Sequence, residues 1–362
     1  MKKKIRQPSW PRVKTSTVKI GGILIGGTNP IALQSMTNTD TTDLRSTLAQ
    51  IKRLEKAGCQ IIRLAVPDQE AARSLKQIRQ GTKLPLVADI HFDHRLALLA
   101  LEAGVDKLRI NPGNIGSRDK IKQVVRAAAQ RGVPIRIGVN AGSLEKDILA
   151  RHGRPTAAGL VESALRHISI LEDLGFTDIV ISLKGSEVPM TIEAYRIMSR
   201  RSKYPLHLGI TEAGTVYTGA IRSAVGIGSL LSQGIGDTIR VSLSGDPVKE
   251  VEAARIILQS LDLGNFGPMV LACPTCGRAK IDVERIANQV EKRIKNVKAP
   301  LKIAVMGCSV NGPGEARQAD IGIAGGNNGK GLLFKKGKVV EMVEEKMMVE
   351  RLLAEIDEMS QQ

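Results

Sequence analysis

Eight short apolar runs, each followed by a helix-length amphipathic segment, constrain the fold of this chain more than any other feature. They span residues 31–36, 61–66, 84–90, 107–111, 134–139, 178–183, 206–211 and 238–243, and most follow a Gly or Pro turn. Runs of that length read as strands, and the segments between them as helices. Alternating strand and helix implies parallel pairing with the helices outside. Eight units over about 250 residues match a (β/α)8 TIM barrel. An open doubly wound sheet is the alternative, but no GxGxxG follows the first strand to support it. Ahead of the repeat, residues 17–20 and 23–25 flank Gly21-Gly22 and predict a small β-hairpin.

The functional signal of the repeat lies in charges at the strand ends, because barrel enzymes hold their substrates at the C-terminal mouth. Arg63 sits in strand two, Asp89 and His91 end strand three, and Arg109 and Asn111 lie in strand four. Arg136 and Asn140 belong to strand five, Lys184 ends strand six, His207 and Glu212 bracket strand seven, and Arg240 is in strand eight. A buried arginine without an anion is costly. Four arginines and a lysine at one mouth therefore call for a multiply charged ligand, and guanidinium forks fit phosphate oxygens bidentately. The plainer reading is that single arginines pair with Asp89, Asp178 or Glu212 as structural ion pairs. Asp89 and Glu212 are the candidate acids or bases, with His91 and His207 able to act in the same way. Cys59 reads as a packed small hydrophobe.

Net charge agrees with an anionic ligand. The chain carries a formal +17, which favours phosphorylated small molecules, nucleic acid or acidic proteins. Aromatics make up only 2% of it, so the stacking platforms that single-stranded nucleic acid needs are nearly absent. The same scarcity predicts a core of Ile, Leu, Val and Ala. Basic Met1-Lys2-Lys3-Lys4 leads into Gln7-Pro8-Ser9-Trp10-Pro11 instead of an apolar segment, so no signal peptide is expected. Four cysteines with CxxC spacing and no apolar run of membrane-spanning length point to a cytoplasmic, metal-binding chain.

A Gly/Pro-rich linker at Leu263-Gly264-Asn265-Phe266-Gly267-Pro268 divides the chain into a barrel at residues 1–263 and a small α+β domain at residues 264–362. The expected plan of the second domain is strand 269–272, helix 281–295, strand 301–306, strand 321–324, a hairpin through 332–340 and a helix over 344–358. Cys273-Pro274-Thr275-Cys276 ends its first strand and Gly307-Cys308 its second. Three thiolates are one short of a closed structural zinc site, and no histidine follows His207. The fourth position then falls to a solvent, substrate or carboxylate oxygen. Glu315 is the natural candidate, because the turn Asn311-Gly312-Pro313-Gly314 folds the chain back toward Cys308. Such a set suits an iron–sulfur cluster; a redox CxxC is the other reading. Lys335-Lys336-Gly337-Lys338 reads as a solvated turn, or as a contact for an acidic electron carrier.

Five blocks resemble the 4-hydroxy-3-methylbut-2-enyl diphosphate synthase family. They are Gln34-Ser35-Met36-Thr37-Asn38-Thr39, Leu86-Val87-Ala88-Asp89-Ile90-His91-Phe92, Leu108-Arg109-Ile110-Asn111-Pro112-Gly113-Asn114, Ile135-Arg136-Ile137-Gly138-Val139-Asn140-Ala141-Gly142-Ser143-Leu144-Glu145 and the cysteine stretch. The resemblance runs from about residue 17 to about residue 340. It implies a reductive ring opening and dehydration of 2-C-methyl-D-erythritol 2,4-cyclodiphosphate in isoprenoid biosynthesis. It further implies a 4Fe–4S cluster on Cys273, Cys276, Cys308 and Glu315, with reduced flavodoxin or ferredoxin as donor. Arg63, Arg109, Arg136 and Lys184 match the diphosphate-binding positions, with Asn111 and Asn140 nearby, and Asp89 and Glu212 match the barrel acids. The family is a homodimer in which one chain's cluster domain closes over the other's barrel. The resemblance departs at Gly264-Asn265-Phe266-Gly267, where family members carry arginines. Two rivals stay open at this point: an RNA-binding protein with a regulatory cluster, and another sugar-phosphate barrel enzyme with a structural one.

Overall fold

A computed structural model of the chain describes residues 11–295, 297–309, 314 and 318–361. Two compact units emerge, divided between Gly264 and Asn265. In the first, β1 (Val18–Ile20) and β2 (Ile23–Ile25) pair antiparallel across Gly21-Gly22. Eight parallel strands follow: β3 (Ala32–Met36), β4 (Ile61–Ala65), β5 (Leu86–Asp89), β6 (Lys107–Ile110), β7 (Ile135–Asn140), β8 (Ile179–Lys184), β9 (His207–Leu208) and β10 (Thr238–Ile239). Each pairs with the next, β10 pairs with β3, and a parallel bridge from Ile181 to Leu206 joins β8 to β9. The barrel is thereby closed, as the alternating pattern predicts.

The helices form for local reasons that the sequence displays. Helices α1 (Leu44–Ala57), α2 (Gln69–Gly81), α3 (His94–Glu102), α6 (Ala157–Glu172) and α9 (Pro247–Ser260) start behind Asp43, Asp68, Asp93, Thr156 and Asp246. Each of those side chains accepts a first-turn backbone N–H, satisfying a donor that the helix leaves open. The remaining barrel helices are α4 (Arg118–Arg131), α5 (Lys146–His152), α7 (Val188–Arg201) and α8 (Val216–Leu231). Helix α1 buries Thr47, Gln50, Ile51 and Leu54, the stripe that a 3.6-residue period directs at the barrel wall.

Two features aim the barrel's chemistry. Val18, Ile20 and Ile25 of the hairpin pack with Ala32, Ile61, Val87 and Val180 from the strands, sealing the N-terminal end with apolar side chains. The last two strands hold only two ladder residues each, where six-residue strands are expected. The chains also approach closely just past the ladders: a Cβ on Gly209 would lie 2.7 Å from the carbonyl oxygen of Arg240. Beyond the two ladders, Arg240 N–H to Leu208 O at 3.0 Å and Ser244 N–H to Gly214 O at 2.9 Å carry the pairing onward.

In the second unit, β11 (Met269–Ala272), β12 (Lys302–Met306), β13 (Ile321–Gly325), β14 (Lys330–Lys335) and β15 (Lys338–Glu344) form one sheet in chain order. The first three run parallel and the last two antiparallel. Helices α10 (Val283–Arg293) and α11 (Met348–Gln361) contribute Ile286, Val290, Leu352 and Ile356 to the main core. Lys336 and Gly337 turn the final hairpin at φ +46° and +80°, the left-handed geometry of a tight two-residue loop. Strand direction puts that turn at the opposite end of the sheet from Cys273 and Cys308.

Candidate active site

The strands deliver their polar side chains to one point because side chains two residues apart share a face. In β6 this aims both Lys107 and Arg109 inward, in β8 Ser182 and Lys184, and after β10 Arg240 and Ser242. A cavity of ≈ 120 Å³ at the mouth is lined by Arg63, Arg109, Arg136, Lys184 and Arg240, together with Asp89, His91, Asn140 and small hydroxyl residues. Lys107 is fully buried in the barrel interior, its Nζ donating to Gln34 Oε1 at 3.1 Å, and burial, then Arg136 and Arg63, push its ammonium well below the ordinary range.

Asp89 is the hub. Its carboxylate lies 3.7 Å from Arg63 Nε, 3.3 Å from Arg109 Nη1 and 3.5 Å from His91 Nε2. Burial alone would push its carboxyl up, but Arg63, the His91 hydrogen bond, Arg109 and Arg136 together hold it well below the usual carboxylate range. Arg109 is further pinned by Nη2, which donates to Gly138 O at 2.8 Å. With its amide turned to suit, Asn140 Oδ1 accepts from the same nitrogen at 3.3 Å.

Arg136 and Lys184 lack such compensation. Arg136 is 1% exposed, and its Nε and Nη1 find no hydrogen-bond acceptor within the protein. Burial, then Arg63 and Arg109, push its guanidinium well below the ordinary range. Lys184 is driven the same way by burial and by Arg136, Arg63, Arg240 and Arg109. Guanidinium and ammonium donors crowded at the end of a sealed barrel, with one carboxylate among them, form a receptor for an oxyanion carrying several charges. Spread over an exterior face, the same residues would suit a nucleic-acid backbone; here they converge inside a mouth.

Other sequence candidates fall in different places. Glu212 lines an adjoining cavity of ≈ 420 Å³ that shares Asn140 and Thr211 with the first. Its backbone is held at φ +52°, a left-handed conformation that costs a non-glycine residue about 1–2 kcal/mol. His91 is half-exposed at the rim, with Arg109 Nη1 3.1 Å from Nε2. Asn111 Oδ1 accepts from Gly138 N at 3.0 Å and so steadies β7 from the side. His207 lies buried in the barrel interior, its Nδ1 2.7 Å from Thr238 Oγ1. Lys107, Ser182, Thr211 and Ser242 escape notice in the sequence, although alternation with Arg109, Lys184 and Arg240 marks three of them. Cys59 is packed in the core, where burial pushes its thiol up to about 12.

In the second unit, Cys273, Cys276 and Cys308 line one cavity of ≈ 100 Å³ with Arg278 and Gly307. Parallel pairing of β11 with β12 sets Ala272 opposite Val305, which brings Cys273 beside Gly307. Gly307 N–H donates to Cys273 Sγ at 3.1 Å. None of the cysteines is in a disulfide. Among the described residues, no group of three His, Cys, Asp or Glu side chains converges on a single ion position. Glu315 lies outside the described residues.

Comparison with known proteins covers both units. Residues 15–255 match the GcpE TIM-barrel domain, and residues 269–358 match the GcpE protein C-terminal domain. The chain is 61% identical over 348 residues to the 4-hydroxy-3-methylbut-2-en-1-yl diphosphate synthase (flavodoxin) of Caldanaerobacter subterraneus subsp. tengcongensis, spanning 96% of this chain and 98% of that one. The Geobacillus kaustophilus protein of the same name is 59% identical over 351 residues, spanning 97% and 94%. Among solved structures, the Yersinia pestis dihydropteroate synthase aligns with a TM-score of 0.49 at 16% identity, over 67% of this chain and 98% of that one. That likeness is too loose to bear on function.

Proposed function

The chain belongs to the GcpE family, and from that membership we propose that it performs the reaction its relatives are named for. The substrate is 2-C-methyl-D-erythritol 2,4-cyclodiphosphate, opened reductively with loss of water to 4-hydroxy-3-methylbut-2-enyl diphosphate. The observation that carries this reading is the convergence of Arg63, Arg109, Arg136, Lys184 and Arg240 on one mouth cavity. A diphosphate supplies the charge and acceptors that Arg136 Nε and Nη1 lack. The same cations stabilise charge developing on the departing phosphate oxygen. Asp89, held ionised by its neighbours, fixes Arg63 and Arg109 in place and is a poor proton donor at neutral pH. Glu212 and His91 then stand as the groups that hand a proton to the leaving hydroxyl, and Asn140 orients the substrate between the two cavities.

The reaction needs two electrons, which a 4Fe–4S cluster held by Cys273, Cys276, Cys308 and Glu315 would supply one at a time. The described residues fit that group. Three thiols stand around a space, as they would when each binds its own iron, and the Gly307 N–H donates to a sulfur as cluster ligands commonly require. The name of these relatives points to flavodoxin as donor. Residues 1–263 serve as the substrate domain and 264–362 as the cluster domain of a cytoplasmic homodimer; a monomeric mass in sedimentation would exclude the dimer. No helix among the described residues is long and apolar enough to cross a membrane.

The test is anaerobic purification with iron and sulfide reconstitution, followed by turnover with the cyclic diphosphate and reduced flavodoxin. Product should appear by phosphorus NMR. A chain with full iron content that neither binds nor converts the cyclic diphosphate would overturn the proposal.

A further inference from the structure

Arg240 reaches the mouth from the shortest part of the sheet, where β10 holds only two ladder residues. Something outside the strand must fix its side chain. Glu250, on the first turn of α9, is only 4% exposed, and neither sequence pattern nor strand position marks it as functional. Its Oε2 accepts from Ser35 Oγ at 3.1 Å, and its Oε1 from Leu243 N at 3.0 Å. Arg240 Nη2 donates to the same two oxygens, at 3.2 Å to Oε1 and 3.4 Å to Oε2. One carboxylate therefore ties β3, the chain after β10, and the Arg240 guanidinium together. Arg240 Nε, in turn, has no hydrogen-bond acceptor within the protein, while the side chain lines the mouth cavity.

We infer that Glu250 is a positioning residue for anion binding, holding one end of the Arg240 fork so that its remaining N–H groups point at the substrate's diphosphate. The inference rests on the proposed function of the mouth. Its logic is that of an outer partner that orients a ligand-binding group without touching the ligand. Burial and Arg63 both work against the charge on Arg240, whereas Glu250 favours it. A buried guanidinium that lost its carboxylate would be left uncompensated and would turn away. Ser35 and the Leu243 N–H each hold one of the same oxygens, which keeps the carboxylate from following the arginine into the cavity.

Calorimetric titration of the cyclic diphosphate, with inorganic diphosphate as a second probe, tests this on the reconstituted protein. Glu250→Gln keeps the shape of the side chain but presents an amide to the guanidinium, and should weaken binding about tenfold or more. In turnover the change should fall mainly on KM, with kcat altered much less. Glu250→Asp restores the charge and should recover part of the affinity. Arg240→Ala should weaken binding by itself, and adding Glu250→Gln to it should cost less than about twofold more, as expected of residues acting as one unit. Wild-type affinity in Glu250→Gln overturns the inference, and so does an equal further loss on the Arg240→Ala background. If Glu250→Gln fails to fold, Glu250→Asp decides the matter: a loss of affinity that shrinks on the Arg240→Ala background supports the pairing, and a loss that recurs in full on that background overturns it. A wild-type chain that binds neither probe would instead sink the proposed function itself.

Discussion

Arg136 illustrates a residue kept at the expense of stability. Its guanidinium is buried, without acceptors at Nε and Nη1, among other cations. Replacing a poorly compensated buried charge with an apolar side chain of similar length is often stabilising by about 1–4 kcal/mol. Arg136→Met should therefore unfold at a temperature equal to or above wild type while losing about 1.5–3 kcal/mol of cyclic-diphosphate binding. Calorimetry and thermal denaturation on the same sample check both halves; a large drop in unfolding temperature would count against the reading. Asp89 behaves in the opposite sense. Its carboxyl is depressed in the folded chain, so its contribution to stability is complete above the unfolded carboxylate value, near pH ~4, and is lost as pH falls below it. Asp89→Asn should be less stable than wild type at neutral pH, and the gap should close on acidification below pH ~4.

At the scale of elements, the mouth is built by strands that share side-chain and backbone partners. Gly138 of β7 gives its carbonyl to Arg109 and its N–H to Asn111. A Cβ at this position would lie 2.3 Å from Arg109 Nε, with the guanidinium held by Asp89 on its other side. Gly138→Ala should displace Arg109, cost about 1–3 kcal/mol of stability from overpacking, and weaken cyclic-diphosphate binding about tenfold. A variant with wild-type affinity would mean that Arg109 has room to move without consequence. The cysteine cavity obeys a similar rule, since β11 and β12 must run parallel for Cys273 to meet Gly307. The Lys335–Lys338 turn lies at the far end of that sheet, so direct contact there between an electron carrier and the cysteines is disfavoured.

For the molecule as a whole, the formal charge of +17 acts on two kinds of partner at different depths. Cations inside the barrel mouth are buried and little screened by salt, whereas the exterior charge is screened over roughly 8–10 Å at physiological ionic strength. Raising salt from low to physiological levels should therefore slow the association of an acidic flavodoxin several-fold, while the affinity for the cyclic diphosphate changes less. Stopped-flow oxidation of reduced flavodoxin, beside calorimetry of the substrate, separates the two. Equal sensitivity to salt would place the relevant cations on the surface.

Much of this protein was legible in its sequence, because the governing patterns are local. Alternation of apolar runs with amphipathic segments settled the barrel, since parallel strands buried on both faces must be apolar and must be joined by helices. Helix caps such as Asp43 and Asp246, the Gly21-Gly22 turn and the cysteine spacing are likewise readable from neighbouring residues. Which polar residues share a hydrogen bond was decided only by the tertiary structure. Glu250 meets Ser35 across 215 positions of sequence, and Lys107 meets Gln34 across 73. No local periodicity encodes such pairs: the first arises where closure brings the helix after the last strand beside the first strand, and the second crosses the barrel interior from the fourth strand to the first. Gly209 is a third case: its lack of a side chain matters for the carbonyl of Arg240, which approaches it only once the sheet is closed.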